Sequence, residues 1–448
     1  MWHVGICNWR NLILLKCLKT ACARRGKVGN RVKVDLLIKN GQVVTAAQSE
    51  YPVRGRKMQQ LETVERGWVA CAGERIVAVG PQRAVEKEIE VTEQTQVIDA
   101  SGQVVTPGLV DPHTHLIFGG SREDEFYLRA QGADYMDIMA SGGGIASSVR
   151  STRATPLEEL VASGRQRLRW MLELGVTTVE CKSGYGLDLE TELRQLEAVR
   201  FLQGDQPVEL VSTFLGAHAW PEEYREDREG YVDFLVQTIL PRIKKDNLAE
   251  YVDVFTEKGV FTIEQSRRIF QSAKELGFKL RIHADEMHNL GGAELAAELG
   301  TASADHLLMI SDQGIEALAS SDVVPVLLPA TAFTLRKPYA PARRMLDAGL
   351  PVSLATDFNP GSCPTANLPL VMSIACLYMA MSPEEVFNAV TINAAYSLGR
   401  SDRLGTIEVG KQADLVIFDV DSYKKVPYFF GVNLARIVVK AGKIVVAK

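Results

Sequence analysis

Eight short apolar runs between residues 104 and 359 constrain the fold of this 448-residue chain more than any other feature. Each run stops at polar or turn-forming residues, and longer amphipathic stretches separate the runs, as expected of strand–helix units repeated around a parallel sheet. The runs are 104–115, 176–184, 208–218, 251–259, 278–286, 301–306, 323–330 and 351–359. Because eight such units close a barrel, we predict an α/β protein with a TIM-type (β/α)8 barrel over residues 106–400.

The two ends of the chain have a different pattern. Residues 34–105 and 401–448 contain short runs that alternate apolar and polar residues, broken by Asn-Gly, Ala-Gly and Val-Gly pairs. Such pairs between alternating runs are typical of β-hairpins. We predict that both ends combine in one small composite β-sandwich domain beside the barrel.

The start of the chain differs in charge from the rest. Residues 1–34 contain eight Lys and Arg and no acidic residue, so the remainder carries 42 basic against 55 acidic residues. An acidic body disfavours nucleic-acid binding, which requires a basic footprint on the folded domain. We expect residues 1–33 to lie outside the fold, as a transit peptide, a true extension or the product of a start codon assigned too far upstream.

Cysteine usage and hydropathy bear on the compartment. The seven cysteines are scattered and form no C-x-x-C pair, a distribution that suits reduced thiols better than a disulfide framework. The longest apolar run near the start, 12–15, is far shorter than the roughly 20 residues of a membrane-spanning helix. We therefore expect a cytoplasmic protein without a membrane span.

The ends of the predicted strands carry most of the chemistry. In a (β/α)8 barrel the active site lies at the carboxyl ends of the strands. Five of the seven histidines lie at these ends. The residues there that can bind a metal or move a proton are His113, His115, Lys182, His218, Glu257, Lys258, His283, Glu286, His306 and Asp357.

The motif His113-Thr114-His115 is the most specific of these signals. Residues two apart in an extended strand point to the same side, so both imidazoles can reach one metal ion. Catalytic metal sites keep three or four protein ligands and leave one position for water. We predict that His283 and Asp357 complete a mononuclear site with the two motif histidines.

Other residues at the strand ends are candidates for proton transfer and substrate binding. Glu286 lies just beyond the end of its run, where a carboxyl can shuttle a proton, and Asp357 can take the proton from the water. His306 and His218 can polarise a substrate carbonyl or bind its ring. The alternatives are structural: a turn at Asp357, a first-turn helix acid at Glu286 and buried histidines without a chemical role.

Two further residues lie in loops that follow these strands. Arg122, seven residues beyond the H-x-H motif, is suited to a carboxylate on a small substrate, although Glu123 and Asp124 could also pair with it. Tyr185 lies in the glycine-rich segment KSGYGLD. The segment 141–144 is predicted to be either a mobile loop over the barrel mouth or a connector.

Five segments together resemble the imidazolonepropionase family of metal-dependent amidohydrolases. They are DPHTHLIFGGSREDEF, VECKSGYGLDLETELR, TFLGAHAWPEEY, HADEMHNLGGAELAAELGTASADHL and TDFNPGSCP. The likeness runs from about Val34 to the C-terminus. The H-x-H motif and the strand-end aspartate are shared across amidohydrolases, whereas CKSGYGLDLETE and HADE with GGAELAAELG are specific to the family.

The resemblance implies the barrel with its β-sandwich, and hydrolysis of 4-imidazolone-5-propanoate to N-formimidoyl-L-glutamate in histidine degradation. It implies one zinc or iron ion held by His113, His115, His283 and Asp357. It implies catalytic roles for Glu286, His306 and Asp357. It implies substrate binding by Arg122, Tyr185, His218, Glu286, Asn359, Gly361 and Ser362. Ser362 is often Thr in the family, which keeps the hydroxyl, and a homodimer is common among such barrels.

Two other enzyme classes share part of this pattern. A binuclear, dihydroorotase-like cyclic amidohydrolase would use Lys182 or Lys258 as a carboxylated bridge, with His283 and His306 on a second metal. A mononuclear deaminase of the cytosine or guanine type shares the H-x-H motif, the H-x-x-E motif and the terminal aspartate. A metal-storing or interaction protein could also keep the barrel without catalysis, since fold alone does not define function.

Overall fold

The computed structural model describes residues 31–132 and 143–448. Eight parallel strands form one sheet in chain order. These strands, called the first to eighth barrel strands below, are Leu109–Asp111, Val176–Lys182, Glu209–Ala217, Tyr251–Thr256, Lys279–Ala284, Ser303–His306, Val324–Leu327 and Ser353–Leu354. The predicted (β/α)8 barrel is confirmed. The predictions for residues 1–30 and for 141–142 lie outside the described residues.

The barrel closes between its first and eighth strands just beyond their regular ends. Thr114 and Phe358 form an isolated parallel bridge. The N–H of His115 donates to the carbonyl of Phe358 at 2.9 Å, and the N–H of Asp357 donates to the carbonyl of His113 at 3.0 Å. The closing hydrogen bonds therefore involve the same residues that carry the H-x-H motif and the strand-end aspartate.

Helices cover the outside of the barrel and bury their apolar faces against the strands. Sequence signals fix where several of them begin: Thr262 and Ser382 each form a capping box with the residue three positions later. The helices after the first barrel strand are Glu123–Ala130, Ile145–Ala154, Leu157–Glu173, Leu189–Asp205, Arg228–Phe234, Leu240–Asp246, Ile263–Glu275, Gly292–Leu299, Asp312–Ala319, Pro329–Leu335, Ala342–Asp347, Leu368–Tyr378, Pro383–Val390, Ile392–Ser397 and Lys425–Tyr428. Among the described residues, no helix is long and apolar enough to cross a membrane.

A second sheet of eight strands contains both ends of the chain. Seven of its strands follow the order Lys443–Ala447, Ala435–Lys440, Leu415–Phe418, Val104–Pro107, Leu36–Val44, Thr63–Ala72, Arg75–Pro81, and Gln96–Asp99 also pairs with Leu36–Val44. A helix, Gln82–Glu88, and a separate strand pair, Val32–Lys33 with Ile89–Glu90, lie beside it. Apolar side chains from both ends, among them Ile38, Val69 and Ile417, share one buried cluster. The predicted joining of the two ends is confirmed, and the boundaries 34–105 and 401–448 stay predictions.

The first apolar run is divided between the two sheets. Val104–Pro107 pairs with Leu415–Phe418 in the second sheet, and the barrel strand begins only at Leu109. The change of sheet falls at Gly108, where an added Cβ would overlap the side chain of Thr177. The apolar run 104–115 is therefore two consecutive strands in different sheets and not one barrel strand, because hydropathy alone does not distinguish one buried strand from two consecutive ones. The domain boundary between 105 and 106 stays a prediction.

Candidate active site

Three histidines and an aspartate meet at the carboxyl ends of the barrel strands. The ring of His113 lies 4.6 Å from that of His283 and 5.4 Å from that of His115, measured between ring centroids. Oδ1 of Asp357 lies 3.6 Å from Nε2 of His113 and 3.5 Å from Nε2 of His115. All four side chains are buried. The structure thus brings the four predicted metal ligands into one cluster.

The cluster fits a metal ion. Nε2 of His113 is buried and has no hydrogen-bond partner, and the same holds for Nδ1 of His115. Two sets of donor atoms lie within 4.8 Å of one another, His113 with His115 and Asp357, and His113 with His283 and His306. Imidazole nitrogens with one carboxylate oxygen form a donor set that suits zinc and iron. In the described ranges both sets share His113, which places them around one position.

Two buried aspartates orient the histidines from behind. Nδ1 of His113 lies 2.6 Å from Oδ2 of Asp305, and Nδ1 of His283 lies 3.0 Å from Oδ1 of Asp253. Hydrogen bonds of this kind fix which ring nitrogen carries the proton and leave the other free to bind a metal. Burial also lowers the pKa of His113 well below its ordinary value, so its imidazole is neutral, as a ligand must be.

A buried lysine balances these carboxylates. Nζ of Lys182 lies 2.7 Å from Asp253, 2.9 Å from Glu180 and 3.8 Å from Asp305, and none of the four side chains is exposed. Burial alone would raise the pKa of Asp253, but His283 and Lys182 hold it well below its ordinary value. The lysine therefore stabilises the ionised form of the aspartates behind the histidines.

Asp357 has a strained and enclosed position. Its φ of 55° lies in the left-handed region, which is uncommon for a residue with a side chain and clusters at functional sites. The hydroxyl of Thr331 donates to its Oδ2 at 2.6 Å, and Oδ1 faces the histidines. Burial raises the pKa of Asp357 to about 6, against the opposing effect of the hydrogen bond from Thr331 and the charge of His283.

A second carboxyl lies near the histidines. Burial, together with the charges of Asp357 and Glu257, raises the pKa of Glu286 to about 8. Its Oε1 lies 3.7 Å from Nδ1 of His306, which has no hydrogen-bond partner. Glu257 positions this segment, since its Oε2 accepts from the N–H of Met287 at 2.9 Å. A carboxyl with a pKa near neutrality can both take and give a proton.

One cavity of about 800 Å³ opens above the cluster. Its wall includes most of the predicted catalytic and substrate-binding residues: His115, Arg122, Tyr185, His218, His283, Glu286, His306, Asp357, Asn359 and Ser362. His113 and Gly361 are not part of this wall. The sequence therefore located the residues of one site, and the roles assigned to them stay predictions.

Aromatic rings form one side of the cavity. The ring of His218 stacks on His115, with centroids 5.0 Å apart and an interplanar angle of 23°, and Tyr185 lies 5.3 Å from His218. Nδ1 of His218 contacts the carbonyl of Gly184 at 2.9 Å. Burial, with the neighbouring His283, lowers the pKa of His218 to about 3, so its ring is neutral. These faces suit a planar, uncharged ring.

The loop after the eighth barrel strand forms another side. The side-chain oxygen of Asn359 accepts from the N–H groups of Gly361 and Ser362 at 2.8 and 2.7 Å. A Cβ added at Gly361 would overlap the guanidinium of Arg122, so only glycine allows this close approach. The loop is thus held rigidly against Arg122.

Sequence reasoning missed several residues of the site. Glu125 accepts from Arg122 and from the N–H of Gly144, and Arg129 extends the cavity wall beyond Arg122. The buried Asp253 and Asp305 were also missed. The available signal was an ionisable residue within an otherwise apolar strand, because such a group requires a partner when it is buried.

The two lysines of the binuclear alternative have other environments. Lys182 is held in ion pairs with Glu180 and Asp253, which require its ammonium form. Lys258 is exposed. Neither lysine is placed as a bridge between two metal ions.

Comparison with known proteins places the chain in a family. The sequence model of the amidohydrolase family matches residues 104–445. Imidazolonepropionases from Alkaliphilus oremlandii and Bacillus velezensis are each 52% identical to this chain, and the alignments cover 93% of it and 99% and 98% of those proteins. The imidazolonepropionase of Fusobacterium nucleatum is 50% identical and covers 93% of this chain and 100% of its own.

Solved structures show the same fold. A zinc-bound adenosine deaminase from Xanthomonas campestris has a TM-score of 0.68 at 19% identity and covers 93% of this chain and 94% of its own. The guanine deaminase of E. coli has a TM-score of 0.69 at 14% identity and covers 92% and 99%.

The barrel, with its histidines and aspartate at the strand ends, defines a hydrolase of the amidohydrolase class, and the family match agrees. Within that class, the identity to imidazolonepropionases extends over almost the whole chain. The chain therefore belongs to the imidazolonepropionase family.

Proposed function

We propose that this site hydrolyses 4-imidazolone-5-propanoate to N-formimidoyl-L-glutamate, a ring-opening step of histidine degradation. One observation carries the proposal: a histidine–aspartate cluster, a carboxyl with a raised pKa and an arginine all face one cavity. The identity to imidazolonepropionases supports this substrate over those of the deaminase and dihydroorotase-like alternatives.

In the proposed reaction, His113, His115, His283 and Asp357 hold one zinc or iron ion. Such an ion lowers the pKa of a water molecule and polarises a carbonyl group. Asp357 or Glu286 takes a proton from the attacking water, whose oxygen forms a bond to the ring carbonyl carbon. The N–H of His306 stabilises the negative charge that develops on the carbonyl oxygen.

The ring then opens at its carbon–nitrogen bond. The carbonyl carbon keeps the water oxygen and becomes a carboxylate, and the ring nitrogen leaves with a proton delivered by a protonated carboxyl group. The raised pKa of Glu286 suits this delivery, since a carboxyl with a pKa of about 8 is mostly protonated at neutral pH. Tyr185 and His218 hold the ring, Arg122 binds the propionate, and Asn359, Gly361 and Ser362 enclose the far side.

The test follows the loss of imidazolonepropionate absorbance with metal-loaded enzyme, together with metal analysis. We expect one ion per chain. The variant Glu286→Gln should keep the ion and lower kcat by about 100-fold or more, because it removes the proton carrier without changing the shape.

The matched control is Glu294→Gln, which changes a carboxyl that binds Ser311 in the next helix, outside the cavity wall. It should leave kcat within about twofold of the wild type. Unchanged turnover in Glu286→Gln would remove Glu286 from the reaction, and a wild type that does not open the ring would refute the function.

We also propose a cytoplasmic homodimer. The four cysteines in the described residues, Cys71, Cys181, Cys363 and Cys376, are free, as suits a reducing compartment. Exposed apolar side chains such as Leu377, Tyr428 and Phe430 are of the kind that a second copy covers. A mass of one chain by light scattering would contradict the dimer.

A further inference from the structure

The helix Glu123–Ala130 brings a second arginine to the cavity wall. Arg129 lies seven residues after Arg122, about two helical turns on, and both line the cavity. Nη2 of Arg129 donates to the carbonyl of Gly361 at 2.8 Å. The guanidinium of Arg122 packs against the Cα of the same glycine. Two guanidinium groups therefore converge on Gly361.

Arg122 alone does not supply a free positive charge. Its Nε and Nη2 donate to one oxygen of Glu125 at 2.9 and 2.6 Å, and the two side chains are only 8% and 11% exposed. Because this enclosed pair is neutral overall, it offers hydrogen bonds to a carboxylate but little net attraction. Arg129 adds a second positive charge. The two arginines then balance the two negative charges of Glu125 and a bound carboxylate.

Arg129 also has an unused donor. Its Nε is buried and has no hydrogen-bond partner among the described residues, although buried N–H groups are normally paired. Burial and the neighbouring Arg122 lower the pKa of Arg129, but a guanidinium stays protonated in proteins. A cation beside a like charge, with an unpartnered N–H, is stabilised by an anion placed between the two.

We propose that Arg129 binds the substrate carboxylate together with Arg122 and determines the preference for an acidic side chain on the ring. This inference rests on the proposed function and extends it, because it adds a specificity-determining residue for a short aliphatic carboxylate. The carboxylate accepts from Arg129 and from Nη1 of Arg122, while Glu125 and Gly361 hold the two guanidiniums in place.

The test compares two substrates, 4-imidazolone-5-propanoate and its uncharged propanamide. For Arg129→Gln we expect kcat/KM on the acid to fall roughly 10- to 100-fold, mainly through KM, because hydrogen bonds between charged groups are lost. On the amide, kcat/KM should change less than about threefold. Arg129→Lys should recover part of the loss, and the control Arg169→Gln, which removes one charge from an exposed helix residue outside the cavity wall, should alter the acid-to-amide ratio less than about threefold.

Equal losses on both substrates in Arg129→Gln would overturn the proposal, since they would mean that Arg129 only supports the loop at Gly361. Metal content and circular dichroism check that the variant is folded. If it is not, Arg129→Met is tested in the same way: an acid-to-amide preference equal to that of the wild type refutes the role. Failure of the proposed function is separate, because there the wild type would hydrolyse neither compound.

Discussion

Charged side chains cluster at both ends of the barrel, but the two ends differ in whether these groups are paired. At the amino ends of the strands, Glu209 accepts from Arg400 at 3.2 Å and from Arg403 at 2.9 Å, and Lys440 lies 3.7 Å away. Together with Glu250, which pairs with Arg400, these residues form what we call the lower cluster. In it, each carboxylate has a cation at hydrogen-bonding distance.

At the carboxyl ends, buried polar atoms lack partners. Within residues 31–132 and 143–448, Nε2 of His113, Nδ1 of His115 and Nδ1 of His306 have no hydrogen bond. Burial raises the pKa of Glu286 to about 8, whereas the cations around Glu209 hold its pKa below the ordinary value despite its burial. The difference teaches that paired charges stabilise the fold, whereas buried, unpaired groups mark the place where chemistry occurs.

The largest effect on stability is expected at Lys182, the last residue of the second barrel strand, where buried charges are paired behind the histidines. The variant Lys182→Met leaves the buried Glu180 and Asp253 without their cation. We expect the free energy of unfolding to fall by about 3–5 kcal/mol, measured by urea denaturation. The control Lys245→Met, at an exposed helix end, should change it by less than about 0.5 kcal/mol.

A double variant separates charge balance from packing. Glu180→Gln with Lys182→Met removes one charge of each sign and should be more stable than Lys182→Met alone. A double variant as unstable as the sum of two independent losses would show that the ion pair does not explain the effect.

A smaller effect is expected in the lower cluster. Glu209→Gln should lower the free energy of unfolding by about 1–2 kcal/mol at pH 7 and leave the hydrolysis rate unchanged. Because the native pKa of Glu209 lies below the ordinary 4.5, its contribution is complete above pH 4.5 and is lost as the pH falls through the native pKa. The difference between variant and wild type should therefore shrink on acidification; a constant difference would contradict the assignment.

The smallest effect is expected at Arg403, whose side chain is 32% exposed. Arg403→Gln should cost about 0.5–1 kcal/mol, and about 1 M salt should remove most of the difference by screening. Lys182→Met should keep its effect in the same salt, because its partners are buried. If salt reduced the effects of both variants equally, the contrast between exposed charge pairs in the lower cluster and buried pairs around Lys182 would be wrong.

Much of the barrel and of the histidine–aspartate cluster could be predicted from the sequence, because both depend on local sequence patterns. The H-x-H motif at 113–115 and the terminal Asp357 follow apolar strands, and the barrel rule then places them together. Hydropathy did not reveal the change of sheet at Gly108, since strands on both sides of it are buried. The change of sheet depends on which strand pairs with the residues before Gly108 and which pairs with the residues after it.

The sequence could single out the supporting aspartates as ionisable residues in apolar strands, but it could not show which residues they contact. Asp253 and Asp305 act through contacts with histidines on other strands, and a single sequence does not reveal these pairs. Arg129 was missed because its proposed role in binding the carboxylate depends on the ion pair between Arg122 and Glu125. Only the three-dimensional contacts show that this pair neutralises the charge of Arg122.

The closure of the barrel links folding to activity. His113 and His115 lie on one side of the seam between the first and eighth strands, and Asp357 lies on the other, joined by a few hydrogen bonds. A chain that has formed seven strands but not this seam holds an incomplete donor set. The complete donor set therefore requires the closed barrel, and we expect that opening of this seam abolishes activity before the rest of the chain unfolds.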